Sequence, residues 1–84
     1  MGEAEAARKT TLIRNVYLAA FLAVHDIEVK PIQVNDWVWF EVLKDEKTGQ
    51  LMRDWNIGAF VPARKFAEAI IALRNQIIGI RRRA

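Results

Sequence analysis

Catalysis near neutral pH needs a base, a nucleophile or a bound metal, and the sequence is poor in all three. It holds one histidine, His25, no cysteine, and carboxylates that are scattered apart from the adjacent pair Asp45 and Glu46. A lone histidine without thiolates cannot build a metal cluster. The four glycines are isolated, so no glycine-rich loop is available to cradle a phosphate. His25 falls in the last turn of an expected helix, where its charged form would gain from the helix dipole; a surface or capping role suits it better than a catalytic one. Asp45 and Glu46 read as loop charges or helix starters. We therefore expect no enzyme activity, no metal and no cofactor.

A second chemistry, contact with nucleic acid, has more to work with. Arg64, Lys65, Arg74, Arg81, Arg82 and Arg83 make the C-terminal segment basic: residues 64–84 carry six Lys or Arg against Glu68 alone, whereas residues 1–63 carry seven against nine acidic residues. Trp37 and Trp39 add aromatic rings on which bases could stack. Helical geometry weakens the set, because at about 100° per residue these cations fall on three different faces rather than one stripe. Terminal arginines also serve simply to satisfy a helix C-terminus and keep a protein soluble.

The elements that must position these residues are legible in outline. The sequence predicts an α+β fold, with a small antiparallel sheet covered by helices at about 15–25, 48–56 and 62–80. A short strand is expected over 9–13, rich in β-branched residues. Asn15 is a fair cap for the first helix, and Asp26 tolerates the left-handed geometry that would end it. A hairpin over 27–34 and 37–43 turns at Asn35-Asp36. Its register sets Val34 against Trp37, Ile32 against Trp39 and Lys30 against Glu41 on one face, with Pro31 against Phe40 and Val29 against Val42 on the other. Pro31 marks the first strand as a sheet edge.

Residues Asp45 to Asn56 admit two readings, a helix capped by Thr48 or a second hairpin turned at Lys47-Thr48-Gly49, and the helix is favoured. Asn56-Ile57-Gly58 breaks the chain, and Pro62 is placed as the first residue of the last helix. Phe66, Ala69, Ile70, Leu73, Ile77 and Ile80 give that helix its core stripe. Residues 1–8 are expected to be a flexible N-terminus, 9–80 a single domain and 81–84 a basic tail.

Asn15-Val16-Tyr17-Leu18-Ala19-Ala20-Phe21-Leu22, the hairpin with Phe40, Trp55-Asn56-Ile57-Gly58, Val61-Pro62-Ala63-Arg64 and the run Phe66 to Arg74 together resemble a family of small bacterial and phage proteins described only as a domain of unknown function. The resemblance covers roughly residues 12–78. It carries fold signals and implies no activity, cofactor or partner.

Composition bears on partners. Eighty-four residues, 52% apolar and 27% charged, suit one folded domain. A chain of this length buries only about 60% of its unfolded surface, and without disulfides or metal its remaining support is subunit association. The longest apolar run, Val16 to Val24, is too short to cross a bilayer, and the acidic start Gly2-Glu3-Ala4-Glu5 argues against a secretion signal, so a cytoplasmic, membrane-free protein is expected.

Three apolar surfaces exceed what one small core needs. They are the all-round apolar first helix, the two-faced hairpin, and a secondary stripe of Ala67, Ile71 and Ile78 on the last helix. Two arrangements would absorb them: helices on both faces of the sheet, or helices on one face with the other closed by a second copy. The second is preferred, and it makes Trp37, Trp39, Ile32, Val34, Ile71 and Ile78 the expected interface of a homodimeric interaction module, with nucleic-acid binding as the alternative function.

Overall fold

The computed structural model describes residues 9–83, so the expected N-terminal extension over 1–8 lies outside the described residues. The chain runs β1 (Thr10–Ile13), α1 (Val16–Val24), β2 (Lys30–Val34), β3 (Trp37–Leu43), α2 (Glu46–Asn56) and α3 (Ala63–Arg83). The strands form one antiparallel sheet in the order β1-β3-β2, an α+β fold. β3 is central because the Asn35-Asp36 turn returns it along β2, with Asn35 in the left-handed region at φ 57°. The ladder pairs Val34 with Trp37, Ile32 with Trp39, Lys30 with Glu41 and Pro31 with Phe40, as the turn dictates. β2 is an edge strand, where the missing N–H of Pro31 is tolerated.

Helix α1 begins where Asn15 accepts backbone N–H bonds from Tyr17 (2.9 Å) and Leu18 (3.3 Å). It closes at Asp26, φ 65°, with the N–H of Ile27 donating back to the Leu22 carbonyl at 3.1 Å. That closure corrects the expected strand over 27–34. With the Ile27 backbone committed to ending the helix, the ladder starts only at Lys30, and Val42 pairs with Thr11 of β1 rather than with Val29. Ile27 and Val29 turn inward against the core instead.

Residues 46–56 are helical, but the cap is Asp45 and not Thr48. Asp45 is extended, and its carboxylate accepts the Thr48 N–H at 2.8 Å; Thr48 sits inside the first turn and is buried. Pro62 is likewise one position earlier than expected. Its carbonyl accepts the first intrahelical bond, from the Phe66 N–H at 3.0 Å, and α3 begins at Ala63. At its other end α3 continues to Arg83, past the expected stop near Ile80, because arginine is a good helix former and nothing after Ile80 breaks the run. Arg81 to Arg83 are thus the last turn of a helix rather than a separate tail.

The core draws Ile13, Phe40 and Val42 from the sheet, Ala19, Ala20, Phe21 and Leu22 from α1, and Leu73 from α3. The two alanines let α1 approach closely, and burial of Phe21 and Phe40 contributes about 1.5–3 kcal/mol each. Phe66, Ala69, Ile70 and Ile77 of the expected α3 stripe pack around this centre. Trp55 ties α2 in, with its ring 5.4 Å from Phe21 and 6.2 Å from Phe66. Every sheet residue in the core comes from one face. The helices therefore form a single layer behind the sheet, and the arrangement with helices on both faces is not adopted.

Candidate functional site

Alternation along the strands decides what the other face of the sheet carries. Phe40 and Val42 point into the core, so Trp37, Trp39, Glu41 and Leu43 of β3 point away from it. The pairing adds Ile32 and Val34 from β2 and Leu12 from β1 to the same side. None of these seven belongs to the core or to the shell packed against it. Trp37 is 53% exposed, Leu12 and Val34 are exposed, and Ile32 and Trp39 are half-buried by their neighbours within the face.

One cation completes the aromatic end. Arg14 follows β1, and continuing the register that pairs Ile13 with Phe40 sets it level with Trp39. Its guanidinium carbon lies 4.3 Å from the Trp37 ring centroid and 5.3 Å from that of Trp39. Both distances are within cation–π range, and the planar group is weakly hydrated enough to lie on aromatic faces.

A cleft of about 310 Å³ opens at the other end of the sheet, where β3 runs into α2; its walls join Glu41 and Lys30 of the open face to Asp26, Glu28, Asp45 and the buried Thr48 beyond it. The Thr10 hydroxyl donates to Glu41 at 3.2 Å. Asp45 is held below the usual carboxylate range by the Thr48 backbone N–H, and the Thr48 hydroxyl pulls the same way without closing a hydrogen bond. That hydroxyl is buried and without a partner. Among the described residues no group of three or more acidic or histidine side chains is arranged to hold a metal ion.

The remaining expected residues lie elsewhere. Ile71 and Ile78 are exposed on α3, in the helix layer, and do not join Trp37, Trp39, Ile32 and Val34. Arg74, between them, donates to the Tyr17 hydroxyl at 3.0 Å with its guanidinium carbon 5.7 Å from the Tyr17 ring centroid. Arg64 and Lys65 are exposed at the start of α3 and Arg81 and Arg82 at its end, about 27 Å apart at 1.5 Å per residue. Since α3 lies behind the sheet, these cations and the tryptophans do not share a surface. His25 is the C-cap of α1, its ring edge-on to Phe21 at 4.8 Å.

Two features escaped the sequence reading. Leu12 and Arg14 belong to the open face, and strand alternation carried one residue past Ile13 would have found both. Phe60, 98% exposed, and Ile57 flank a second cleft of about 340 Å³ between α1 and α2; their signal was two apolar side chains on either side of Gly58, between the end of α2 and Pro62. No helix among the described residues is long and apolar enough to cross a membrane. Comparison of the chain with protein families, with characterised proteins and with solved structures finds no match.

Proposed function

We propose that the chain is a small non-enzymatic interaction module that works as a homo-oligomer, its subunits joined through the open face of the sheet. One observation carries this reading: a contiguous surface of Trp37, Trp39, Ile32, Val34 and Leu12 stands free of the core on the side that no helix among the described residues covers. Contiguous exposed apolar patches are uncommon on soluble monomers and mark interaction sites. Light scattering coupled to size exclusion tests the proposal, with a dimer or higher closed oligomer expected at tens of micromolar and a clean monomer mass overturning it.

A second reading, binding of single-stranded nucleic acid, is favoured by the placement of Arg14 over Trp37 and Trp39. A cation beside stacked rings is how sequence-tolerant single-strand surfaces are built. It ranks second because Glu41 stands on the same face and further carboxylates line the cleft at the end of the sheet, and carboxylates repel phosphates.

A further inference from the structure

The open face is polarised along the strands. Arg14 marks the hairpin end, level with Trp39, and Glu41, opposite Lys30, stands at the other, with Glu28, Asp26 and Asp45 in the cleft beyond it. These carboxylates do not converge as metal ligands among the described residues. A carboxylate at an open face suits a guanidinium, which presents five donors in a fixed fork.

We infer that the occupant of the open face is a second copy of the chain lying antiparallel across it, so that Arg14 of each protomer meets Glu41 of the other. This rests on the self-association proposed above and adds its orientation. In an isologous pair, if one residue meets another across the axis, the reverse contact forms as well. A two-fold axis running across the strands near Phe40 brings the level of Trp39, where Arg14 lies, over the level of Glu41, and does so twice. An axis running along the strands would instead stack the acidic end on itself, where like charges face each other at a cost. Charge complementarity thus selects the first arrangement. The guanidinium sits between the Trp37 and Trp39 rings and the partner's Glu41, and an arginine loses less on leaving water than a lysine would.

The orientation is tested by charge exchange. Arg14→Glu and Glu41→Arg are prepared separately, and sedimentation equilibrium is measured on each and on their mixture. Each variant alone places like charges at both contacts, and its dimerisation should weaken about tenfold or more, the scale reached when close interfacial charge pairs are broken. The mixture should recover wild-type affinity, because in the mixed dimer both contacts pair unlike charges. Single variants that dimerise like wild type, or a mixture that fails to recover, overturn the inference. Glu41 stands across from Lys30 in the sheet, so Glu28→Arg, in the loop, serves as a second acidic variant should Glu41→Arg melt early. Trp39→Ala is run alongside. If it dissociates the dimer while the charge variants do not, the orientation fails and the sheet-face interface stands; a monomeric wild type removes both. If Arg14→Glu keeps its mass but no longer binds a labelled oligothymidine, Arg14 serves nucleic acid and the inference falls.

Discussion

The guanidinium of Arg14 rests 4.3 Å above the ring of Trp37, joining the end of β1 to the start of β3 across the open face of the sheet. The contact is exposed on both sides, and at such sites a cation–π pair contributes only about 0.5–1 kcal/mol. Arg14→Ala should therefore leave the fold intact and lower the melting temperature by a few degrees. Its effect on tryptophan fluorescence should be larger. With the cation gone, iodide should quench Trp37 more readily in dilute protein, and an unchanged quenching constant would show that the guanidinium does not shield that ring.

Two phenylalanines on opposite sides of the same fold should respond in opposite ways. Phe40 is 1% exposed and packs at the centre of the core, so Phe40→Ala should cost about 3–5 kcal/mol, comparable with the whole stability of a small domain, and leave it largely unfolded. Phe60 is 98% exposed, and Phe60→Ser should change stability by no more than about 0.5 kcal/mol. Urea titrations followed by circular dichroism check both. A strongly destabilised Phe60→Ser would mean that this ring is covered in the protein in solution.

These contrasts show where sequence pattern is informative and where it is silent. The hairpin register from Lys30–Glu41 to Val34–Trp37 was legible because a two-residue turn leaves little choice of pairing. The core stripe of α3 was legible from Phe66 to Ile77 because its period matches a helix over about three turns, whereas Ile80, expected in the same stripe, lies outside the packed shell. Boundaries were lost wherever a backbone group had two suitors. Ile27 reads as a strand residue by type, yet its N–H closes α1, and Thr48 reads as a cap, yet Asp45 three residues earlier takes that role with a charged acceptor. The open face of Trp37, Trp39, Ile32 and Val34 was legible only as a preference, argued from the small size of the chain, because the same apolar hairpin serves with helices on one side or on both. Arg14 and Phe60 went unnoticed for a related reason: their importance lies in what they stand beside, not in their neighbours along the chain.

Asp45 gives a pH prediction whose sign follows from its cap. The Thr48 N–H bond favours the carboxylate, so its ionisation in the folded protein lies below that of the unfolded chain. Its contribution is present in full above the ordinary carboxylate range and is lost as pH falls through the lower, folded-state value. Thermal melts should thus show α2 loosening in acid, below about pH 4. Asp45→Asn should keep the cap at neutral pH, since asparagine serves as well at that position, while removing this residue's share of the acid dependence. Asp45→Ala should be less stable than either at pH 7. Identical acid limbs for wild type and Asp45→Asn would show that other carboxylates govern acid unfolding.

The sharpest test of the open face is Trp39→Ala, because Trp39 lies at its middle, opposite Ile32 and beneath Arg14. The ring is half-buried by its own face but lies outside the core cluster, so removing it should not unfold the protomer. If subunits meet on this face, a central tryptophan is the kind of residue whose truncation costs about 2 kcal/mol or more of binding, a shift in dissociation constant of about thirtyfold. The variant should then be folded by circular dichroism and monomeric by light scattering at concentrations where the wild type is not. If instead the face stacks bases, loss of one ring should cost about 1–3 kcal/mol of single-strand affinity and leave the mass untouched. Mass and oligonucleotide binding therefore belong on the same sample. A folded Trp39→Ala protein of wild-type mass that no longer binds single strands would replace self-association with nucleic-acid contact as the role of this surface, and one unchanged in both would remove the face from either role.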